Sequence, residues 1–287
     1  MKLDRDLLAR FPLPHVPEDS DKEDRGRLLV IAGSRELGGA ALLAGIAGLR
    51  AGAGKLQIAT AESIAVQLAV AVPEARVIGC RETEEGCLDP ASIPSLVESA
   101  GDAQAVVIGC GLQHGPPLEE LLDGLLSSGL DRPLVLDAAV LGCLAPRAEQ
   151  LRAWTGGAAL LPHAREMAGL LDCDAEDVTA DPLCSARSAA GRYGAVALVK
   201  GPCSFIVAPD GRAFRFEGGG VGLATSGSGD VLAGVVGGLC ARGADPLTAT
   251  LWGVWLHGEA GRVLTDTVGR LGFLARELPD LIPRLME

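Results

Sequence analysis

Short apolar runs alternate with helix-compatible segments along most of the chain. Six runs have the length and composition of buried strands, at residues 28–33, 55–60, 105–110, 133–138, 158–162 and 195–200. Each run is followed by a turn or by a helix-compatible segment, which is the pattern of strands that alternate with helices. Runs that are apolar throughout indicate strands buried on both faces. The pattern therefore predicts an α/β fold with a mostly parallel sheet covered by helices on both sides.

Residues 204–216 follow a different pattern. Two alternating runs flank Pro209-Asp210-Gly211, a strong turn signal between strands. We therefore expect an antiparallel hairpin at this place in the sheet.

The C-terminal third of the chain has a helical period. Asp245 followed by Pro246 is a favourable helix start, since an N-cap acceptor precedes a proline in the first turn. One face of this helix is apolar, and it carries Leu247, Leu251, Val254 and Trp255. His257 falls on the same apolar helix, so we expect it to pack in the core.

Composition supports a layered fold. Apolar residues make up 48% of the chain and aromatic residues only 3%, with 39 glycines, so helices and strands must approach closely over small side chains. This suits an α/β sheet better than a β-sandwich. No internal repeat is present, and we expect one domain over residues 1–287 with a polar lead-in at residues 1–25.

Charge and hydropathy exclude some partners. A formal net charge of −12 disfavours binding to nucleic acid or an anionic membrane through a basic face. The apolar run from Leu37 to Leu49 is too short to cross a bilayer. The first residues lead into no apolar signal core. We therefore expect a cytoplasmic protein with no nucleic-acid partner and no membrane partner.

The cysteines indicate neither disulfides nor a metal site. All 8 are scattered along the chain, and none forms a C-x-x-C pair. We interpret them as small buried thiols in a reducing compartment, and we assign no metal ligands.

The stretch "LATSGSGDVLAG", from Leu223 to Gly234, is the first candidate for chemistry. Glycines allow close backbone approach, and N–H groups at a helix start bind anions. Taken alone, Gly-Ser-Gly favours the simpler interpretation of a tight turn into a buried helix. Asp230 in the first helical turn could complement the helix dipole or act on an attacking hydroxyl. Its position directly after the glycines favours the catalytic role.

Several motifs together resemble one family. "SGSGDVLAG", "KGPCSFIVAPDG" upstream and "WLHGEAG" downstream resemble the ADP/ATP-dependent NAD(P)H-hydrate dehydratases of the ribokinase-like superfamily. Further similar segments occur in the correct order over residues 21–265: the opening glycine-serine loop with its Arg-x-Gly-Ala-Gly turn, "IGCGL", "VLDAAVL" and "LPHAREMAGLL". The resemblance implies a three-layer α/β/α fold with a mostly parallel central sheet and an antiparallel hairpin near residues 203–216.

The resemblance also implies roles for particular residues. Asp230 would be the catalytic base and a substrate contact. The other substrate contacts would be Ala40, Gly109, Gly111 and His163. The nucleotide contacts would be Lys200, Gly201, Pro202, Cys203, Ser204, Ser226, Gly227, Ser228 and Gly229.

The residues themselves leave simpler interpretations open for several of these positions. Lys200 could close a strand at the surface, and His163 could cap a helix together with Glu166. The glycines at 109 and 111 could serve a tight turn.

The implied reaction repairs a damaged cofactor. The substrate would be NADH or NADPH that has added water across a ring double bond. ADP or ATP, with Mg²⁺, would phosphorylate the hydroxyl, and loss of phosphate would restore the double bond. The resemblance further implies a homo-oligomer, a tetramer by analogy. A separate NAD(P)H-hydrate epimerase would be the functional partner, since the chain has no room for such a domain.

Five positions, at four places in the chain, depart from the family pattern. Cys110 stands in place of a loop proline, Gln113 in place of a glycine, and Gly220-Val221 in place of Asn-Pro. Ala139 stands where a second aspartate is usual, and this change concerns a substrate or water contact.

Two other functions remain open from the sequence. A ribokinase-like kinase for a vitamin-like alcohol would use Asp230 and the glycine loop equally well. A nucleotide-binding protein without turnover would fit the change at Ala139. A Rossmann oxidoreductase is disfavoured, because the loop after the first strand lacks the G-x-G-x-x-G spacing.

Overall fold

Nine strands form one sheet in the computed structural model, which describes residues 1–287. The strands are β1 (Arg27–Ile31), β2 (Lys55–Ala61), β3 (Ala75–Cys80), β4 (Ala105–Ile108), β5 (Leu134–Leu136), β6 (Ala158–Leu160), β7 (Val196–Val199), β8 (Cys203–Val207) and β9 (Ala213–Glu217). Their order is β3-β2-β1-β4-β5-β6-β7-β8-β9. Strands β1 to β7 are parallel, and β8 and β9 add antiparallel.

The structure confirms the six predicted parallel strands and the hairpin. The turn at Pro209-Asp210-Gly211 closes with Ala208 N–H donating to the Arg212 carbonyl at 2.9 Å. One strand was missed by the sequence analysis, β3. It is an edge strand of the sheet and all but one of its residues are partly or fully exposed, so it carries no continuous apolar run.

Twelve helices cover the sheet. They are α1 (Arg5–Leu8), α2 (Gly38–Arg50), α3 (Glu62–Ala71), α4 (Ile93–Gly101), α5 (Pro116–Leu126), α6 (Ala148–Arg152), α7 (Ala164–Leu171), α8 (Ala175–Ala180), α9 (Pro182–Tyr193), α10 (Ser228–Ala241), α11 (Pro246–Thr267) and α12 (Ile282–Leu285). The predicted helix start at Asp245 is confirmed, since its carboxylate accepts from the N–H groups of Leu247 and Thr248. No helix combines the length and the hydropathy that a bilayer-spanning segment needs.

The helices lie in two layers, one on each face of the sheet. Side chains alternate along each strand, so Leu28 and Val30 of β1 face one core while Leu29 and Ile31 face the other. The first core contains α1, α2, α3, α10, α11 and α12, and the second contains α4 to α9. The predicted three-layer arrangement is therefore confirmed.

Helices α2 and α10 pack with their backbones almost in contact. A Cβ atom on Gly234 would lie 2.1 Å from the carbonyl oxygen of Ala44, and one on Gly238 would lie 2.3 Å from that of Gly48. Only glycine permits this approach. Since α2 lies over β1 and β2 and α10 lies over β1 and β4, their N-termini are held side by side at the carboxyl edge of the sheet.

The predicted polar lead-in over residues 1–25 is wrong for its first part. Leu3 N–H donates to the Arg215 carbonyl and Arg215 N–H to the Met1 carbonyl, each at 2.8 Å, so the N-terminal segment lies along β9. Leu7 and Leu8 of α1 are buried in the core. Residues 17–25 are nearly all exposed.

The close helix contact predicts opposite effects for two glycine-to-alanine substitutions. Gly234→Ala places a methyl group against a backbone carbonyl that cannot turn aside, so the free energy of unfolding should fall by at least about 1–3 kcal/mol. Gly169 in α7 has open space around its position, and Gly169→Ala should stabilise by up to about 1 kcal/mol. Urea denaturation of both variants checks this, and equal effects of the two would contradict the packing described.

Candidate functional site

The topology creates a crevice at the carboxyl edge of the sheet. Strands β1 and β4 are neighbours, but the helices that follow them, α2 and α5, lie on opposite faces of the sheet. Ligands of open α/β sheets bind in the crevice where two such connections diverge. The loops after the two strands are joined, since Gly33 N–H donates to the Cys110 carbonyl at 2.8 Å. The candidate site is built from the ends of β4 to β7 and the start of α10.

A buried ion pair lies at the centre of the site. Asp137 follows β5 and Lys200 follows β7, and the Lys200 Nζ lies 2.7 Å from Asp137 Oδ1. Asp137 is only 2% exposed. Desolvation opposes the charge on Lys200, but the attraction to Asp137 and Glu166 outweighs it and raises the pKa of Lys200. The ammonium group is therefore firmly charged.

The N-terminus of α10 faces this pair. Gly227 before the helix has φ +87, which a glycine adopts readily. A Cβ on Gly229 would lie 3.5 Å from both Asp137 Oδ2 and Lys200 Nζ. The N–H groups of Gly229 and Asp230 make no hydrogen bond within the protein. Two free donors and an ammonium group thus converge on one place, an arrangement that suits an anion.

Asp230 is in the first turn of α10, as predicted, and its charge is disfavoured there. Burial raises the pKa of Asp230 to about 6, and the nearby Asp137 carboxylate adds to the effect. A hydrogen bond with the Cys110 thiol and the charge of Lys200 oppose it. A carboxyl group with this pKa can accept a proton near neutral pH.

The glycines at 109 and 111 approach other parts of the chain. A Cβ on Gly109 would lie 1.8 Å from the Asp137 carbonyl oxygen, and one on Gly111 would lie 2.6 Å from the Ala40 Cβ. Both have positive φ, +124 and +64. These contacts support the tight-turn interpretation, and they also bring Ala40, Gly109 and Gly111 together beside Asp137. Ala138 there has φ +54, a strained conformation for a residue with a side chain.

His163 caps α7, as the simpler interpretation proposed. Its Nδ1 accepts from the Glu166 N–H at 3.2 Å, and the Glu166 carboxylate accepts from the His163 N–H at 2.8 Å. The side chain of His163 is 52% exposed, so its ring remains accessible to solvent. Lys200 N–H donates to the Pro162 carbonyl, which places His163 next to the Lys200 segment.

Residues 201–204 form the turn from β7 into β8. Gly201 and Pro202 are exposed, and the Ser204 hydroxyl bonds within the turn to Gly201. The Cys203 thiol accepts from Arg215 Nε at 3.1 Å, so its side chain is directed to the hairpin. Ser226 lies exposed in the loop before α10.

Two side chains in this region were not predicted from the sequence. His257 Nε2 lies 2.9 Å from the Ser228 hydroxyl, so this histidine, expected only to pack in the core, contacts the glycine loop. His257 lies two residues after the motif tryptophan, Trp255, and this position gave no signal of the contact, because α10 and α11 meet only in the fold. Cys110 is fully buried beside Asp230 and was noted only as a departure from the family pattern.

Two other sequence interpretations change. Ala139 lies in a 3₁₀ turn over residues 138–143 and is 6% exposed in the apolar core of α4 to α9. The cysteines are free, but Cys173 and Cys184 are exposed, which corrects the expectation of buried thiols. Cys173 follows the left-handed residue that ends α7, and Cys184 lies in the first turn of α9, so both are at surface helix ends.

The chain is similar to known proteins over nearly its full length. The model of the NAD(P)H-hydrate dehydratase family matches residues 28–284. The ADP-dependent (S)-NAD(P)H-hydrate dehydratase of Xanthomonas campestris is 44% identical over 98% of this chain and 94% of its own. The ADP/ATP-dependent NAD(P)H-hydrate dehydratase of Bacillus subtilis, co-crystallised with ATP and Mg²⁺, is 30% identical with a TM-score of 0.83 and covers 100% of this chain and 98% of that one.

The predicted fold superfamily is also confirmed. A ribokinase-like superfamily protein of Enterococcus faecalis is 25% identical with a TM-score of 0.83 over 99% of this chain and 94% of its own.

The raised pKa of Asp230 predicts a pH-dependent gain in stability on its removal. An acid whose pKa is higher in the folded chain destabilises the fold once it ionises, so its cost is absent below the unfolded pKa of 3.8 and complete above about 6. Asp230→Asn should therefore raise the free energy of unfolding at pH 7.5 by about 1–3 kcal/mol and have little effect near pH 4.

The matched variant is Asp137→Asn. It removes the partner of a lysine whose side chain is only 22% exposed, so we expect it to destabilise the protein at pH 7.5. Thermal unfolding of both variants across this pH range is the measurement, and a destabilising Asp230→Asn at pH 7.5 would contradict the electrostatics described.

Proposed function

Since the chain belongs to the NAD(P)H-hydrate dehydratase family, we propose that it dehydrates (S)-NAD(P)H hydrate to NAD(P)H at the expense of ADP or ATP. The observation that carries the proposal is the start of α10, where an acid with a pKa of about 6 lies beside two free backbone N–H groups and a charged lysine. These are the parts that transfer of a phosphoryl group to a hydroxyl requires.

Asp230 is the proposed general base. It accepts the proton of the ring hydroxyl while that oxygen bonds to the terminal phosphorus of the nucleotide, whose bridging bond breaks. The phosphate ester then leaves with the pair of electrons of its C–O bond, driven by the lone pair of the ring nitrogen. Loss of a proton from the neighbouring carbon restores the double bond. The nucleotide supplies the leaving group, because hydroxide alone leaves poorly.

The start of α10 is the proposed binding place of the transferring phosphoryl group. The N–H groups of Gly229 and Asp230 are fixed before the reaction, so they stabilise developing negative charge without reorganisation. Ser226, Gly227 and Ser228 complete this loop. Lys200 is held by Asp137 at 2.7 Å and adds a positive charge at the same place.

The turn at 201–204 is the proposed contact with the rest of the nucleotide. Gly201 and Pro202 are exposed there, and the side chains of Cys203 and Ser204 are bonded within the protein. This favours contact through backbone atoms of the turn.

Ala40, Gly109, Gly111 and His163 are the proposed contacts of the hydrated dinucleotide. His163 Nδ1 already accepts a backbone hydrogen bond, so a neutral ring carries its proton on Nε2. His163 would therefore donate a hydrogen bond to an oxygen of the substrate. Ala139 is buried in the apolar core. We therefore do not expect the alanine at this position, where an aspartate is usual, to make the protein inactive.

Mg²⁺ fits the site as a partner of the nucleotide. Mg²⁺ in such sites uses one or two carboxylates together with phosphate oxygens. Asp230 and Asp137 are near the proposed phosphate position, and no cluster of three acidic, histidine or cysteine side chains could form a cage of protein ligands alone. When bound, the ion would neutralise phosphate charge.

The proposal extends to a partner enzyme, the oligomeric state and the cellular location. The Xanthomonas relative bears a name that specifies the (S) form of the hydrate, so the (R) form would require an epimerase, which we propose to be a separate protein. We further propose a homo-oligomer, a tetramer by analogy, in the cytoplasm.

The decisive experiment is recovery of the near-ultraviolet absorbance of reduced nicotinamide from hydrated NADPH. Purified protein with Mg²⁺ and either ADP or ATP should restore it, and the active nucleotide identifies the phosphate donor. Asp230→Asn should lower kcat by about 10²–10⁴-fold while nucleotide binding persists. No recovery with either nucleotide, by folded protein that binds nucleotide, would favour a kinase for another alcohol or a binding protein without turnover.

The pKa of Asp230 predicts the acid side of the pH profile. A general base must be ionised, so kcat/KM for the hydrate should fall tenfold per pH unit below about pH 6. The residual activity of Asp230→Asn should lack this fall. A profile that is flat from pH 5 to pH 8 in the unchanged protein would remove Asp230 from the role of base.

A further inference from the structure

His257 makes a contact that core packing does not require. It lies on α11, and its Nε2 is 2.9 Å from the Ser228 hydroxyl and 3.0 Å from the Ser228 carbonyl oxygen. Ser228 is the first residue of α10 and is 5% exposed. The hydroxyl of Ser228 has no other hydrogen-bond partner in the protein. A single imidazole nitrogen thus lies within hydrogen-bond distance of both the hydroxyl and the carbonyl oxygen of Ser228.

The carbonyl decides which nitrogen of His257 carries the proton. A carbonyl oxygen only accepts, so a nitrogen 3.0 Å away from it must donate. Burial lowers the pKa of His257 to about 4. The hydrogen bond to Ser228 raises this pKa, and the charge of Lys200 lowers it further. The ring is therefore neutral at pH 7 with its proton on Nε2 and none on Nδ1.

This tautomer determines what the Ser228 hydroxyl can do. The Nε2 proton is shared between the Ser228 carbonyl and hydroxyl oxygens, so the hydroxyl accepts from His257. Its own proton is left free to donate elsewhere. The opposite tautomer would accept the hydroxyl proton and leave Ser228 with nothing to donate to a ligand.

We propose that His257 is a positioning residue, which holds Ser228 so that its hydroxyl donates to the phosphoryl group in transfer. The inference rests on the proposed function, and it adds a residue from α11 to a site otherwise made of β-strand ends and the starts of α2, α7 and α10. His257 itself touches no reacting atom. Its effect passes through Ser228.

Kinetics of four variants test the coupling. His257→Leu should lower kcat about tenfold or more while KM for the hydrate changes less than twofold, and His257→Gln, whose amide can donate from a similar position, should recover most of the loss. Ser228→Ala should lose a similar factor. The double variant Ser228→Ala with His257→Leu should lose no more than Ser228→Ala alone, because the histidine acts through the serine.

Val254→Ala is the matched control, since Val254 is buried on the same helix one turn earlier. It should lower the melting temperature without lowering kcat. Undiminished kcat in His257→Leu, or losses that multiply in the double variant, would overturn the inference.

A second measurement needs no turnover. Nitrogen chemical shifts of the imidazoles, with the His257 signals identified by their absence in His257→Leu, should report a neutral ring protonated on Nε2 from pH 5 to pH 8. The Nδ1-protonated form, or an imidazolium at pH 7, would overturn the inference even if the protein dehydrates the hydrate. An inactive unchanged protein would count against the proposed function, and the ring shifts would still decide the state of His257.

Discussion

Backbone contact between α2 and α10 determines where the rest of the site lies. Gly234 and Gly238 allow the two helices to approach until carbonyl groups of α2 touch the positions where α10 has no side chain. The first turns of both helices are thereby fixed beside the loops that follow β1 and β4. Ala40 and Asp230 belong to those first turns, so one packing contact positions residues that are far apart in the chain. Larger residues along this contact would separate the two helix ends.

The site concentrates features that reduce stability. Asp137 and Lys200 are desolvated and depend on each other for compensation, while Asp230 has no such partner. Ala138 adds a backbone conformation that residues with side chains disfavour. Such costs are common where chemistry requires groups in unfavourable surroundings, and the extensive apolar layers on both faces of the sheet offset them.

The sequence was sufficient to predict the interior strands of the sheet and the start of α11 at Asp245. Strands buried on both faces are apolar throughout, and Asp245-Pro246 is a local signal, so both could be read from neighbours in the chain. β3 could not be predicted in this way, because an edge strand is partly exposed and has no continuous apolar run. The burial of Leu7 and Leu8 depends on a hairpin more than 200 residues away. The contact of His257 in the site could not be predicted for the same reason. The apolar period of α11 indicates only core packing, and the polar contact is with a residue of another helix, α10.

The N-terminal segment that lies along β9 affects how the sheet could grow. An edge strand offers unpaired N–H and carbonyl groups on which another chain can add a strand, and this is a common beginning of aggregation. Met1 and Leu3 bond to those groups of β9, so that edge is closed by the chain itself. The opposite edge, β3, keeps its outer groups free but carries the exposed Arg76. Strand addition between copies is therefore restricted to one edge, where a charged side chain disfavours it.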